Sequence, residues 1–90
     1  MVKCNAVILK FKDRNEPRQE ISAAHVSGAT KLAVSRDTHY ITIDCLTKEG
    51  VSIKQINFNV SDIKEYTCEG VFMEVFVPMI SRQDTWIGGK

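Results

Sequence analysis

The chain has 90 residues and a net charge of +1, with 43% hydrophobic and 26% charged residues. This length predicts one domain with a modest core, and the composition is unlike that of a disordered chain. The near-neutral charge removes the bulk electrostatic argument for nucleic-acid binding, and without an apolar run of about 18 residues we expect no membrane segment. Since no secretion signal is recognisable, we expect a cytoplasmic protein.

The first predicted element is a strand over residues 2–11. Its alternation is imperfect because residues 6–9 are all apolar, which is typical of a strand covered on both faces. A charged loop follows over residues 12–18, where Pro17 would interrupt strand pairing.

Two interpretations are open for residues 20–26. Acidic residues around Pro17 are typical of the first turn of a helix and Gly28 of its end, which would give a helix near residues 17–27. The alternative is a short strand that leads through a Ser-Gly turn into a second strand over residues 31–35. We favour this β-meander, because the sequence that follows has β periodicity throughout.

The clearest pattern is a β-hairpin over residues 40–60. Apolar and polar residues alternate from Ile41 to Cys45, a polar turn follows at residues 47–50, and a second alternating strand comes after it. This period of two is typical of strands with one buried face. The alternation slips at Gln55, which predicts a β-bulge there.

The last third of the chain is predicted to contain one 3₁₀ or helical turn and a short strand near residues 61–66, and a strand over residues 71–77. Apolar residues at helical spacing then predict a short C-terminal helix that Gly88 ends. A helix this short is not stable alone, so we expect it to dock on a surface. We divide the chain into one β domain over residues 1–78 and a C-terminal tail or short helix over residues 79–90.

Together these elements predict a mainly β fold, a small barrel or compact sandwich of about six strands with a short C-terminal helix. Turn residues at intervals of about ten positions favour this interpretation. The alternative is an α+β fold, in which an antiparallel sheet packs against one helix near residues 17–27.

Residue types suited to catalysis or metal binding form no recognisable motif. The cysteines at positions 4, 45 and 68 lack the close spacing of a zinc site, and their odd number without a secretion signal argues against a disulfide framework. We expect Cys4 and Cys45 to be small buried side chains. No motif brings His25 or His39 beside a nucleophile. We therefore expect a protein that is not an enzyme and that has no metal and no cofactor.

Apolar residues near the C-terminus predict protein binding instead. The strand over residues 71–77 is apolar on both faces apart from one glutamate, so it is either enclosed by the fold or presents aromatic side chains to a partner. Aromatic and arginine side chains contribute much of the energy at protein interfaces. We predict a non-catalytic binding domain, an inhibitor, adaptor or assembly subunit, with a protein partner of unknown identity and with self-association through strand edges. The candidate contacts are Phe72, Phe76 and Trp86, with a polar rim of Arg14, Arg18 and Arg82.

The alternative function is nucleic-acid binding by a small β-barrel. Its candidate contacts are Lys10, Lys12, Arg14 and Arg18. Acidic residues lie in and beside the charged loop over residues 12–18, so we favour the interpretation of this region as a solvated segment of mixed charge. A lesser alternative is a small enzyme, which requires a cleft that brings a histidine together with a thiol or a carboxylate.

Overall fold

The computed structural model describes residues 1–12, 18–71 and 83–88 of the chain. Within these ranges eight strands form two four-stranded sheets, and all neighbouring strands pair antiparallel. The strands are β1 (Val2–Cys4), β2 (Ala6–Phe11), β3 (Gln19–Ser22), β4 (Lys31–Arg36), β5 (Tyr40–Leu46), β6 (Ser52–Asn59), β7 (Ile63–Glu69) and β8 (Gln83–Ile87). The first sheet has the strand order β1-β4-β5-β6, and the second has the order β3-β2-β7-β8.

The core consists of inward-facing side chains at alternate strand positions of both sheets, and the mainly β prediction is confirmed. Its largest fully buried members are Leu9, Leu32, Ile41, Ile43 and Ile63. Each such side chain contributes roughly 1.5–3 kcal/mol by leaving water. The predicted burial of Cys4 and Cys45 is also confirmed, and both are free thiols.

The strand predicted over residues 2–11 is divided at Asn5, where the chain passes from one sheet to the other. Strand β1 pairs with β4, whereas β2 pairs with β3 and β7. The Asn5 backbone N–H donates to the Glu69 carbonyl oxygen at 2.9 Å, and the Asn5 carbonyl accepts from the Ala23 N–H at 2.9 Å. These bonds satisfy the polar backbone groups of the bend, so one continuous segment contributes to both layers.

The alternative helix near residues 17–27 is wrong over its described part. Gln19–Ser22 is strand β3, which pairs with β2 and buries Ile21. A single 3₁₀ turn follows over Ala23–His25. Pairing with β2 therefore outweighs the local helix signals. Since β3 and β4 lie in different sheets, the predicted meander is right in its strands and wrong in their pairing.

The hairpin over residues 40–60 is confirmed as strands β5 and β6. Its bulge lies at Ile53 and not at the predicted Gln55. Cys45 pairs with Lys54 and Leu46 pairs with Ser52, so Ile53 between them has no partner on β5. Gln55 stays in register, and its side-chain amide donates to the Asp44 carboxylate on the neighbouring strand at 2.9 Å.

The predicted C-terminal helix is wrong over Gln83–Ile87, which forms strand β8 at the edge of the second sheet. Trp86 lies opposite Tyr66 on β7, and Thr85 lies opposite Thr67. Cross-strand pairs of aromatic and β-branched residues stabilise sheets. These contacts with β7 outweigh the apolar spacing that suits a helix.

Other predicted features lie around strand β7. The turn predicted near residues 61–66 is confirmed as a 3₁₀ turn over Val60–Asp62, which leads directly into β7. The strand predicted over residues 71–77 lies, from residue 72 onwards, outside the described residues, as does the domain boundary at residue 78. Within the described ranges, no helix has the length and hydropathy needed to cross a membrane.

The close approach of Gly70 to Asn5 generates a test of the bend. Gly70 has a left-handed conformation with φ +68°, and an added Cβ would lie 2.5 Å from Asn5 Nδ2. Gly50 has φ +87°, but a Cβ there would meet nothing within 4 Å. We expect Gly70→Ala to lower the free energy of unfolding by roughly 2–4 kcal/mol and Gly50→Ala by about 1 kcal/mol, measured by chemical denaturation.

Both variants carry a similar backbone penalty, so the difference between them reports the contact with Asn5. Adding Asn5→Ala to Gly70→Ala removes the amide and should recover part of that difference in a double-mutant cycle. Equal losses for the two glycine variants would show that the contact does not constrain the bend.

Candidate functional site

The outer face of the second sheet forms a shallow groove with a volume of about 190 Å³. Strands β2, β7 and β8 contribute alternate residues to it, because every second side chain of a strand points away from the core. The lining residues are Ile8, Lys10, Arg18, Glu65, Thr67, Glu69, Gln83 and Thr85. All of them except Ile8 are polar or charged, so the groove suits a polar ligand or surface.

One end of the groove contains two cations and a carboxylate. The Lys10 ammonium lies 3.9 Å from a Glu65 carboxylate oxygen, and the two side chains are 47% and 27% exposed. Arg18 precedes Gln19, the cross-strand partner of Leu9, and therefore lies on the Lys10 side. An exposed ion pair of this length contributes only about 0–1 kcal/mol. Lys10 can therefore exchange Glu65 for a carboxylate of a partner at little cost.

The middle and the other end of the groove are held by side-chain hydrogen bonds across strands β7 and β8. The Thr67 and Thr85 hydroxyl oxygens are 3.1 Å apart. At the far end the Gln83 amide donates to a Glu69 carboxylate oxygen at 3.0 Å. These bonds order the side chains before any ligand arrives, which reduces the entropy that binding must overcome.

The structure brings together two of the residues predicted as binding contacts. Lys10 and Arg18 both line the groove. Lys12 is exposed at the end of β2, where its backbone N–H donates to the Asp62 carbonyl at 3.0 Å, and it is not a lining residue. Arg14 lies outside the described residues.

Sequence reasoning did not identify the acidic and hydroxyl residues of the groove. Glu65, Thr67 and Glu69 alternate along β7, so a period of two indicates that they share a face. The sequence does not show that β2 and β8 lie on either side of β7. The missing information is the strand order, which no local pattern contains.

Trp86, a predicted partner contact, is engaged within the fold. Its ring stacks on the Tyr66 ring with a centroid distance of 5.4 Å and an interplanar angle of 28°. The Arg36 guanidinium lies 4.9 Å from the centre of the indole ring, which is a cation–π contact. The indole is partly buried against the core. Since Arg36 belongs to the first sheet, this cluster ties the two sheets together beside β8.

Tyr66 sits at the centre of this cluster. Burial raises the pKa of the Tyr66 phenol above its usual value, and a hydrogen bond from the Arg36 guanidinium opposes that shift by a smaller amount. Burial disfavours the charged phenolate, whereas the cation favours it. The remaining aromatic candidates, Phe72 and Phe76, lie outside the described residues, as does Arg82.

The outer face of the first sheet carries a second polar network, centred on Asp44. One Asp44 carboxylate oxygen accepts from the Ser52 hydroxyl at 3.0 Å and from the Gln55 amide at 2.9 Å. Beside it, the Thr42 hydroxyl donates to the Asn57 side-chain carbonyl at 2.8 Å. These groups bind one another across β5 and β6, so they stabilise the hairpin on its outer side.

Two of the buried thiols contact each other between the sheets. A hydrogen bond between the thiols of Cys4 and Cys68 lowers the pKa of Cys4 and raises that of Cys68. His25 and His39 are exposed, whereas the thiols are buried. Among the described residues, no three histidine, cysteine, aspartate or glutamate side chains are grouped so that they could hold a metal ion. The enzyme alternative stays a prediction.

Comparisons with known proteins give no relative. No family model matches the chain, and neither a curated protein nor a solved structure matches it. The groove and the chemistry of its residues are therefore the features that point to a function.

Replacing Trp86 distinguishes a structural role from a binding role. We expect Trp86→Ala to lower the free energy of unfolding by about 2 kcal/mol, because it removes the stacking on Tyr66 and the cation–π contact with Arg36. Trp86→Phe keeps an aromatic ring and should lose less than half of that, with both variants measured by thermal and chemical unfolding. An alanine variant as stable as the parent protein would mean that the indole does not stabilise the fold.

The raised pKa of Tyr66 predicts a loss of stability at alkaline pH. Above about pH 10 the unfolded chain releases the phenol proton while the folded chain keeps it, so stability declines as pH rises through this range. The Tyr40→Phe variant leaves Tyr66 as the only tyrosine. We expect the phenolate absorbance of this variant to appear at higher pH when the chain is folded than when it is unfolded in denaturant. The same titration in both states would show that burial does not affect the Tyr66 phenol.

Proposed function

We propose that the protein is a non-catalytic, cytoplasmic binding domain that recognises another protein through the groove on its second sheet. The observation that carries the proposal is the grouping of Lys10, Arg18 and Glu65 at one end of a groove whose other side chains are already ordered. Binding sites on paired strands hold their side chains more precisely than sites on loops. The groove offers a preorganised polar surface.

The charge pattern of the groove favours a polypeptide partner. The groove has two cations, Lys10 and Arg18, and two carboxylates, Glu65 beside them and Glu69 at the far end, so a peptide that carries both signs of charge complements it. A phosphate backbone would be attracted by the first pair and repelled by the second. For this reason we rank nucleic-acid binding second.

The proposal extends to the aromatic contacts predicted from the sequence. Phe72, Phe76 and Arg82 belong to the segment that connects β7 with β8, the two strands that contribute most of the groove. Protein interfaces combine a few aromatic anchors with a polar rim. In this proposal Phe72 and Phe76 of the connecting segment supply the anchors, and the groove together with Arg82 supplies the polar rim. Trp86 supports β8 from the inner side.

Removal of the two cations of the groove tests the proposal. We expect the variant Lys10→Gln/Arg18→Gln, which changes the net charge by −2, to reduce capture of a protein partner from cell extract about tenfold, which corresponds to ~1.4 kcal/mol of binding free energy. Lys48→Glu, in the exposed turn between β5 and β6, is the control for an altered net charge. Captured proteins are quantified by mass spectrometry, and circular dichroism confirms that each variant is folded.

The outcomes separate the two candidate functions. A protein retained by Lys48→Glu and lost by the groove variant supports the proposal, and Phe72→Ala should weaken its capture further. Retention of oligonucleotides that falls steeply as salt rises, and that the groove variant abolishes, would favour the nucleic-acid alternative. A set of captured proteins that is the same for all variants would exclude the groove as the site.

A further inference from the structure

Strand β6 is the longest edge strand among the described residues. It has eight residues, whereas the other edge strands, β1, β3 and β8, have three, four and five. Within the described part of the chain, one side of β6 pairs with β5 and no strand pairs with the other side. Natural edge strands are usually shielded by proline, by charged residues or by being short. Strand β6 contains no proline and one charged residue, Lys54.

The hydrogen-bond register shows which backbone groups lie on this open edge. The Val60 N–H donates to the His39 carbonyl at 2.9 Å. In an antiparallel ladder, bonded and non-bonded pairs alternate, and the register continues without a shift along β6 from Asn59 back to Lys54. The backbone groups of Phe58 and Ile56 therefore face β5. Those of the alternate residues, Gln55, Asn57 and Asn59, face outwards, and no strand of the described ranges pairs with them.

We propose that two copies of this chain associate through their β6 edges, antiparallel and about a two-fold axis at Asn57, to form one continuous eight-stranded sheet. In this register Asn57 lies opposite Asn57 of the second copy, and Gln55 lies opposite Asn59. Every outward N–H and carbonyl of these residues then gains a partner, which gives six backbone hydrogen bonds across the axis.

The side chains of β6 complement themselves in this arrangement. On the inner face, Ile56 of one copy lies opposite Phe58 of the other, and both side chains are partly buried against their own core. Aromatic and β-branched cross-strand pairs are favourable by about 0.2–1 kcal/mol. On the outer face the pairs consist of amides, each of which has further donors and acceptors beyond any bond to Asp44 or Thr42. The apolar inner face and the polar outer face of one sheet thus continue into the same faces of the other copy.

The charges at the ends of β6 favour the antiparallel orientation. Lys54 lies near one end of the strand and Asp62 lies just beyond the other, in the 3₁₀ turn. Antiparallel pairing about Asn57 brings Lys54 of each copy towards the acidic end of its neighbour, whereas parallel pairing would bring like charges together. A second copy is therefore a better match for this edge than an arbitrary strand.

The size of the contact predicts a weak dimer. A single pair of edge strands buries less than a standard interface of about 1,600 Å². We therefore expect a monomer–dimer equilibrium with a dissociation constant in the range of about 1–100 μM. Sedimentation equilibrium on the purified chain should show a mass that rises with concentration from 10.2 kDa towards twice that value.

Charge variants at the axis test the geometry. Asn57→Lys and Asn57→Glu each place two like charges opposite one another, so each variant alone should dimerise at least about fivefold more weakly. An equimolar mixture of the two places opposite charges at the same position and should recover the dimer. Gln55→Lys combined with Asn59→Glu in one chain creates two attractive pairs across the axis and should tighten the dimer by about two- to tenfold. Circular dichroism and thermal unfolding verify the fold of each variant.

The outcomes are decisive in both directions. Loss of the dimer in both single variants, with its recovery on mixing, supports the β6 interface. A parent chain that stays monomeric at all concentrations overturns the proposal, and so does a dimer that both Asn57 variants leave intact. Should the Asn57 variants fail to fold, the Gln55→Lys/Asn59→Glu chain decides, because a dimer no tighter than that of the parent chain overturns the register.

Discussion

The bend at Asn5 is the constraint on which the two-sheet arrangement depends. Strands β1 and β2 follow one another directly but belong to different sheets, so the backbone between them needs hydrogen-bond partners of its own. It finds them in Glu69 and Ala23. The absence of a side chain at Gly70 leaves room for the Asn5 side chain. This contact fixes the position of β1 relative to β7. The hydrogen-bonded thiols of Cys4 and Cys68 lie beside it.

The position of the groove residues on β8 depends on contacts on the inner face of the second sheet. Within the described ranges strand β8 pairs only with β7, and five residues of pairing are a small attachment for a strand at an edge. Trp86 adds to it, because its ring stacks on Tyr66 and receives the Arg36 guanidinium from the other sheet. Since neighbouring residues of a strand point to opposite faces, fixing Trp86 on the inside also fixes Thr85 on the outside. The aromatic cluster therefore orients one wall of the groove.

The features that sequence reasoning predicted correctly are those encoded by neighbouring residues. A period of two from Ile41 to Cys45 is local information, and it predicts the hairpin and the burial of Cys45. The C-terminal strand was missed because the residues around Trp86 also fit a helical spacing, and only the contact with Tyr66 decides between them. The basic residues in and beside the charged loop included Lys10 and Arg18 of the groove. Glu65 and Glu69 required the strand order, which depends on contacts between distant parts of the chain.

The two proposed surfaces lie on different sheets, and this separation has a consequence for binding. The groove belongs to the second sheet, whereas β6 is an edge of the first, so pairing through β6 leaves the lining residues of both copies uncovered by the shared sheet. A dimer would present two equivalent grooves related by the two-fold axis. A partner with two matching segments would bind the second groove at the effective concentration set by the first. Weak self-association thus converts a modest affinity for each groove into a stable complex.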